Sequence, residues 1–343
     1  MFIPPREANL LITHKCNLSC RHCGVYSHGK LQGELSPSEW GIILDKLADA
    51  KLLTLTLTGG EPFMREDFPE VFQEVLKRPF RVNINTNATL ITDETAELLA
   101  DSMPRLDTVM VSLDGDSPKT HDAIRGKGVF EKTMEGVRKL KDANISIVFY
   151  CTVNSVNIDR IEYIAELAAE YGRNIKFNTF MDTGPETDSK LSPTPDQVKQ
   201  AGRSVIESAL KHPGKVSGTV LEIAVQSVKA NNGTAKPYSS SKVCGAVSGK
   251  IAVFPDGTVT PCDHLPDVNL GNLMDSSLEE ILTGEEAEFF KRVTAMRKWP
   301  WVECHTCEYH DYCSGPCPAG VPIEGASKEK FSLFCLKNYL REQ

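Results

Sequence analysis

Long apolar runs, an export signal and an excess of positive charge are all missing from this sequence. No apolar stretch approaches the ~20 residues that a membrane-spanning helix needs. The segment Met1–Leu11 lacks a charged start followed by an apolar stretch, so it does not resemble a secretory signal peptide. The net charge is −8 over 343 residues, which argues against nucleic acid or an anionic membrane as the main partner. We therefore expect no nucleic-acid partner and no membrane attachment.

Cysteine, in contrast, is plentiful, with eleven residues. In a chain without an export signal, these cysteines are expected to lie in the reducing cytoplasm. There, clustered cysteines bind metal more often than they form disulfides. Ten of the eleven fall into two fields, one near the N-terminus and one from residue 244 onward.

The N-terminal field is Cys16-Asn-Leu-Ser-Cys20-Arg-His-Cys23, which follows a short apolar run. Three thiolates on one tight loop can hold three irons of a cubane iron–sulfur cluster, and the fourth iron then has no protein ligand. An iron with an open position can bind and activate a substrate. The alternatives are plain buried thiols or a structural zinc loop, in which His14 or His22 supplies the fourth ligand.

Apolar, β-branched segments alternate with stretches of helical periodicity from residue 6 to about 180. The predicted strands are Leu10–Thr13, Leu52–Thr58, Arg81–Thr86, Asp107–Leu113, Ile145–Val153 and Ile175–Phe180. Six strand–helix repeats imply a parallel sheet with right-handed crossovers, and they are fewer than the eight of a closed barrel. An α/β fold with a partial (β/α)6 barrel fits this pattern. In such barrels the chemistry lies at the C-terminal ends of the strands, where the cysteine loop falls.

Glycine and polar residues follow three more of the predicted strands. The positions are Gly59, Gly60, Glu61, Asn85, Ser112 and Arg125. Two adjacent glycines let the backbone approach a ligand closely, and a carboxylate can hold a cationic amine. Short polar side chains suit ribose hydroxyls and a carboxylate. Ordinary turn chemistry is the alternative at each of these positions.

The second cysteine field has a specific spacing. Its members are Cys244, Cys262, Cys304, Cys307, Cys313, Cys317 and Cys335. The segment Gly249–Thr260, around Pro255-Asp256-Gly257, predicts a β-hairpin, and Ser277-Leu-Glu-Glu280 predicts a helix with a capping box. Two four-cysteine zinc sites are the alternative for this field, but seven cysteines do not fill two such sites.

Together the two fields resemble the radical SAM enzymes that carry a C-terminal SPASM domain, such as anaerobic sulfatase-maturating and peptide-modifying enzymes. The resemblance covers about residues 8–341. It implies that Cys16, Cys20 and Cys23 hold a 4Fe–4S cluster whose open iron chelates S-adenosylmethionine (SAM). An electron from this cluster then cleaves SAM to a 5′-deoxyadenosyl radical.

The resemblance also assigns the positions that follow the strands. Gly59-Gly60-Glu61-Pro62 looks like the family motif that binds the amino group of SAM. The segments around Asn85, Ser112 and Arg125 are similar to those that hold its ribose and carboxylate.

Two auxiliary iron–sulfur clusters are implied in the SPASM domain. One would be held by Cys304, Cys307, Cys313 and Cys335, and the other by Cys244, Cys262 and Cys317. The second group is one thiolate short, so it implies an open iron, a ligand other than cysteine, a bound substrate or a smaller cluster. Asp263 matches the catalytic base of sulfatase-maturating enzymes, with a solvated loop aspartate as the alternative.

Cys151 stands alone in the fifth predicted strand. A lone cysteine in a strand is most often buried and inert. If Cys151 faces the barrel interior, its thiol could instead donate a hydrogen atom to a substrate radical.

Three regions are expected along the chain. Residues 1–181 form the radical SAM partial barrel, and residues 182–241 form a bridging segment that faces the substrate. Residues 242–343 form a small cysteine-rich SPASM domain with a β-hairpin and short helices. Because the first strand begins within about ten residues of the start, we expect a separate partner to bind any leader peptide.

The expected function is a radical SAM oxidoreductase with a flavodoxin- or ferredoxin-type electron donor. The adenosyl radical would abstract hydrogen from a peptide or protein side chain that becomes oxidised or cross-linked. The auxiliary clusters would accept an electron or position the substrate. The alternative substrate is a small molecule, with sugar-alcohol dehydrogenation or tetrapyrrole side-chain decarboxylation as the reaction. An iron–sulfur electron carrier, which needs no Gly59-Gly60-Glu61 site, and a zinc-binding interaction module are the non-enzymatic alternatives.

Overall fold

A computed structural model describes residues 2–24, 33–181, 187–236, 244–295 and 306–313, together with residues 317, 335 and 339. Its strands are β1 (Glu7–Leu11), β2 (Thr54–Thr58), β3 (Arg81–Thr86), β4 (Leu106–Ser112), β5 (Ile147–Val153), β6 (Asn174–Thr179), β7 (Val216–Ser217), β8 (Lys250–Val253), β9 (Thr258–Thr260) and β10 (Gly271–Asn272). All six strands predicted for the barrel are present, with ends that differ by at most a few residues.

Helices follow most of the barrel strands, as the α/β prediction requires. They are α1 (Pro37–Asp49), α2 (Phe68–Leu76), α3 (Asp93–Ala100), α4 (Pro118–Arg125), α5 (Val129–Asp142), α6 (Ile161–Tyr171), α7 (Pro195–Lys211), α8 (Thr219–Asn231), α9 (Leu278–Thr283) and α10 (Glu285–Ala295). Short 3-10 turns occur at Pro62–Met64, Ile158–Arg160, Ser189–Leu191 and His310–Tyr312. Within the ranges described, none of the helices combines the length and apolar character needed to cross a membrane.

Helix α1 shows how local sequence fixes an element. Ser36 and Glu39 form a capping box, in which Ser36 N donates to Glu39 Oε2 at 2.8 Å and Glu39 N donates to Ser36 Oγ at 3.4 Å. Trp40, Leu44 and Leu47 are fully buried on one face, because their spacing repeats with the helical turn. The predicted capping box at Ser277 of α9 is also present, and Thr194 caps α7 in the same way.

One ten-stranded sheet includes both the strand that leads into the cysteine loop and the hairpin that precedes Cys262. Strands β1 to β7 lie side by side in sequence order and are parallel. Strand β8 joins the free edge of β1 in parallel, and β9 and β10 extend this edge in antiparallel orientation. The predicted hairpin therefore continues the barrel sheet, and the sheet runs across the boundary that we predicted near residue 241.

The two faces of the sheet differ in chemistry. Apolar side chains such as Leu55 and Leu57 pack against the helices on the outer face. The alternate residues Thr54, Thr56 and Thr58 lie on the inner face, because successive strand residues point to opposite sides. A cavity of about 390 Å³ lies on the inner face near the N-terminal ends of the strands. Its lining includes Asn83, Met110, Val148 and Lys176.

Candidate active site

The cysteine loop leaves the C-terminal end of β1 and packs against the glycines that follow β2. Gly60 N donates to Thr13 O at 2.9 Å, and Glu61 N donates to Lys15 O at 2.8 Å. A Cβ atom added at Gly60 would lie 2.3 Å from Lys15 O, which is far inside van der Waals contact. The glycines were predicted to admit a ligand. The close approach that the structure shows is to the backbone that leads into the cysteine loop.

Replacing Gly60 with alanine is therefore expected to displace this loop. The added methyl group meets backbone rather than a flexible side chain, so we expect a cost of about 1–3 kcal/mol in stability. Anaerobic thermal denaturation and iron content after reconstitution test this, and both should fall. Gly33→Ala is the matched control, because none of the described residues lies within 4 Å of its added Cβ atom. Equal behaviour of the two variants would contradict the packing role of Gly60.

Side chains fix the loop at two further points. Asn87 Nδ2 donates to Asn17 Oδ1 at 3.0 Å, which ties the loop to the end of β3. Arg21 Nη2 donates to Asp188 Oδ2 at 2.7 Å, and Asp188 N donates to Arg21 O at 2.8 Å. The loop is thus held by the barrel on one side and by the segment after β6 on the other, independently of any metal.

The three thiols on this loop are partly buried. Burial raises the pKa of Cys16 to about 11, and Glu61, Cys20 and Cys23 add to this effect. Burial also raises the pKa of Cys20, although the Arg125 guanidinium opposes it. Thiols of this kind keep their protons until a positively charged metal centre displaces them.

Thiol spacing separates a cluster from a single zinc ion. A single zinc ion draws all its sulfur ligands to about 2.3 Å from one point. In a cubane each thiolate binds a different iron, so the thiolates lie farther apart. Among the residues that the structure describes, no three His, Cys, Asp or Glu side chains lie close enough to share one metal ion. Zinc and a cluster thus require different thiol spacings, and the assignment of the loop to a cluster stays a prediction.

Glu61 is buried at the base of this loop. Its carboxylate accepts hydrogen bonds from Thr86 Oγ1 at 2.7 Å and from Asn87 N at 2.8 Å. Burial raises the pKa of Glu61 to about 7, and these two hydrogen bonds limit the rise. A buried carboxylate of this kind would gain from a neighbouring ammonium group. Its role toward the amino group of SAM remains a prediction.

Asn85 and Ser112 lie on the inner face, at the C-terminal ends of β3 and β4. Asn85 Oδ1 is buried, and no hydrogen-bond partner for it occurs in the described part of the chain. A buried amide oxygen without a partner costs free energy unless a ligand satisfies it. This favours Asn85 as a ligand contact and leaves Ser112 as a prediction from the resemblance.

Arg125 forms a buried ion pair with Asp114, a partner that the sequence analysis did not identify. Its Nε donates to Asp114 Oδ2 at 2.6 Å, and its Nη1 lies 3.8 Å from Cys20 Sγ. Burial opposes ionisation of both partners, but mutual attraction keeps the pKa of Arg125 raised and that of Asp114 lowered. Arg125 is thus held by Asp114 beside the cysteine loop. The analysis of the sequence missed Asp114, whose position two residues after β4 was the available signal.

His22 contacts the Asp114–Arg125 pair through one ring nitrogen. Its Nε2 lies 3.4 Å from Asp114 Oδ2 and 3.4 Å from Arg125 Nη2. Burial lowers the pKa of His22 to about 4, so the ring is neutral. Its Nδ1 is buried without a hydrogen-bond partner in the described part of the chain, so a metal-ligand role for His22 stays an alternative.

Cys151 lies on the outer face of the sheet. It is fully buried and shares its face of β5 with Phe149 and Val153, which belong to the same apolar core. Its Sγ accepts from Asn157 Nδ2 at 3.6 Å. The hydrogen-donor hypothesis required Cys151 to face the barrel interior, and the structure contradicts that condition because the side chain is on the opposite face. We therefore assign Cys151 to the core.

The second cysteine field begins at the other end of β1. Cys262 is buried just after β9, Cys244 precedes the turn into β8, and Cys317 is partly buried. Asp263 Oδ1 is buried and has no hydrogen-bond partner in the described part of the chain, and the Asn9 side chain forms a hydrogen bond with the carboxylate. Burial opposes ionisation of Asp263, yet His264 and Lys250 hold its pKa below the usual range.

The structure describes only some of the cysteines that we predicted as the remaining cluster ligands. Cys307 and Cys313 are partly buried, and Cys335 is exposed. Cys304 lies outside the described residues. Cys313 and Cys317 pack beside Ile223 of α8. The ligand sets of the two auxiliary clusters therefore stay predictions.

Comparison with known proteins identifies the family. A family model described as the radical SAM superfamily matches residues 10–168, and one described as an iron–sulfur cluster-binding SPASM domain matches residues 244–308. The AdoMet-dependent heme synthase of Methanosarcina barkeri is 30% identical over 334 residues, covering 91% of this chain and 90% of that protein. The chain belongs to the radical SAM superfamily. Both domain matches imply iron–sulfur clusters and binding of SAM.

Other radical SAM proteins are similar over most of the chain. The mycofactocin maturase MftC of Mycolicibacterium smegmatis is 29% identical over 347 residues, covering 93% of this chain and 80% of that one. The crystal structure of Streptococcus suis SuiB bound to precursor peptide SuiA superposes with a TM-score of 0.76 at 17% identity, over 92% of this chain and 72% of that chain. The predicted family and fold class are thereby confirmed.

Proposed function

We propose that this radical SAM enzyme is an oxidoreductase that acts on a peptide or protein side chain. Cys16, Cys20 and Cys23 would hold a 4Fe–4S cluster, and the second field would hold two auxiliary clusters. Bound there, these groups and SAM supply an adenosyl radical that abstracts hydrogen and an acceptor for one electron. We also propose that the enzyme is cytoplasmic and receives electrons from a flavodoxin- or ferredoxin-type protein. A separate protein would bind the leader peptide of the substrate.

The placement of the two cysteine fields carries this proposal. The first follows the C-terminal end of β1, and Cys244 and Cys262 of the second lie beside its N-terminal end, where Glu7 pairs with Lys250. Strand β1 has five residues, which span about 15 Å. The inner face holds Asn85 at the C-terminal end of β3 and, near the N-terminal ends of β3 to β7, the cavity of about 390 Å³, which offers room for a substrate.

Polar chemistry of the inner face favours a peptide. Thr54, Thr56 and Thr58 of β2 and Asn83 and Asn85 of β3 offer hydrogen-bonding groups there. A peptide backbone needs partners of this kind, whereas a tetrapyrrole presents a broad apolar ring. SuiB bound to a precursor peptide and the maturase MftC agree with this choice.

Tetrapyrrole side-chain decarboxylation is the second candidate. One observation favours it, since the heme synthase relative matches 91% of this chain at 30% identity. The two candidates differ in what leaves the substrate. Oxidation or cross-linking removes two hydrogens, and oxidative decarboxylation of a propionate to a vinyl group removes carbon dioxide together with two hydrogens.

The deciding experiment uses the reconstituted, chemically reduced enzyme under anaerobic conditions with SAM. Candidate precursor peptides encoded beside its gene and a tetrapyrrole with propionate side chains are incubated in parallel and analysed by mass spectrometry. We expect a peptide to lose two hydrogens, with 5′-deoxyadenosine formed in step. Reactions without SAM are the control. Turnover of the tetrapyrrole alone, with loss of carbon dioxide, would overturn the peptide assignment.

A further inference from the structure

Lys250 lies on the inner face beside the second cysteine field. It is the first residue of β8, and its neighbour Ile251 packs into the outer core, so Lys250 faces inward. Strands β8 and β9 pair through Ala252 with Thr260, and continuing this antiparallel register places Lys250 opposite Cys262. Directly opposed residues have Cβ atoms about 5 Å apart.

A tight turn brings Cys244 to the same place. Lys250 N donates to Gly245 O at 2.8 Å, and Val247 N donates to Lys250 O at 2.8 Å. The residue after Cys244 is thereby bonded directly to the backbone of Lys250. Two of the three predicted ligands of this cluster therefore flank one lysine.

Charge at this point agrees with the geometry. Lys250 is half-buried, and a lysine ammonium is positively charged at neutral pH. The cluster expected here is the one that the sequence leaves one thiolate short. The residue that flanks Cys244 and Cys262 is thus a cation rather than a fourth thiol.

We propose that Lys250 is the charge partner of the auxiliary cluster held by Cys244, Cys262 and Cys317, and that it raises the reduction potential of this cluster. This inference rests on the proposed function. Reduction adds one electron and hence one negative charge to the cluster, with no bond made or broken in the protein. A nearby fixed cation stabilises that added charge, and partial burial strengthens the attraction. The effect makes the cluster a better one-electron acceptor.

The test is a redox titration of the full-length, reconstituted protein, followed by electron paramagnetic resonance with dithionite as the reductant. Cys244→Ala identifies the signal of this cluster by its loss. Lys250→Met is expected to lower the equilibrium constant for one-electron reduction about tenfold, a shift of about 59 mV to more negative potential. Lys250→Arg should restore most of the shift. Lys132→Met, on the exposed face of α5, is the matched control and should change nothing.

Three outcomes would overturn the inference. The first is a wild-type potential in Lys250→Met, and the second is an equal shift in Lys132→Met. The third is loss of the cluster from both Lys250→Met and Lys250→Arg, which would show a packing role for the side chain. Loss of the cluster only from Lys250→Met and Lys250→Gln, with Lys250→Arg intact, would support the need for charge. A normal shift in protein that never cleaves SAM would refute the proposed function while leaving this inference standing.

Discussion

Changing Cys16, Cys20 and Cys23 together to alanine is expected to abolish reductive cleavage of SAM. Formation of 5′-deoxyadenosine should fall by at least about 10³-fold, because these three thiolates are proposed to hold the cluster whose open iron binds SAM and passes it an electron. Iron content should fall from about twelve to about eight atoms per chain if all three clusters are cubanes.

This loss should not come from unfolding. The loop is held by Asn17, by Arg21 and by the backbone contacts of Gly60, none of which involves a thiol. The triple variant is therefore expected to keep the fold and the signals of both auxiliary clusters. Circular dichroism and paramagnetic resonance check these two points on the same sample that is assayed.

Cys151→Ala is the matched control for the triple variant. It also removes a cysteine, but from the outer core of β5, where the thiol contacts Asn157. We expect a stability cost of about 1 kcal/mol, unchanged iron content and unchanged 5′-deoxyadenosine. Undiminished SAM cleavage by the triple variant would remove the radical mechanism, whatever Cys151→Ala does.

Periodic sequence predicted the barrel well, because each strand and helix is coded locally. The capping box at Ser36 fixed the start of α1, and alternation fixed which face of β2 is buried. The first and last residues of the strands were less predictable. Strand β5 begins at Ile147 rather than Ile145, since Ile145 N still donates to Leu140 O in closing α5. The pairing of β8 with β1 depends on contacts between distant segments, and no local pattern announced it.

Some site residues were likewise predictable from local sequence, whereas the contacts of others are seen only in the folded chain. The cysteine loop and Glu61 were found because short motifs carry them, and the fold then set their depth. The partner of the two glycines was missed, since only the folded chain shows that Lys15 O lies beneath Gly60. The position of Lys250 could have been predicted from the sequence, because counting back from the predicted hairpin turn places it opposite Cys262. The face of Cys151 was open until neighbouring residues showed which side of β5 is packed.

Asp263→Asn is expected to separate hydrogen abstraction from product formation. We propose Asp263 as the base that takes a proton from the substrate after the adenosyl radical has taken a hydrogen atom. The amide keeps the shape but cannot accept this proton, so product should fall by about 10²–10⁴-fold. Deuterium from a labelled substrate should still appear in 5′-deoxyadenosine, since the base acts after that transfer.

The surroundings of Asp263 indicate that the Asp263→Asn substitution removes the carboxylate without disturbing the local structure. Asp263 Oδ1 has no hydrogen-bond partner among the described residues, and an amide can still bond the Asn9 side chain that pairs with the carboxylate. Loss of the carboxylate also leaves the positive charge of Lys250 in place beside Cys262. Iron content should therefore match the wild-type value.

Asp275→Asn is the matched control, because Asp275 is exposed in the turn after β10. It should retain wild-type product formation. Wild-type product formation by Asp263→Asn would exclude a base at this position and leave Asp263 as a solvated loop carboxylate. Joint loss of product and of deuterium transfer would also contradict the proposal, because a residue needed for hydrogen abstraction itself acts before any proton leaves the substrate.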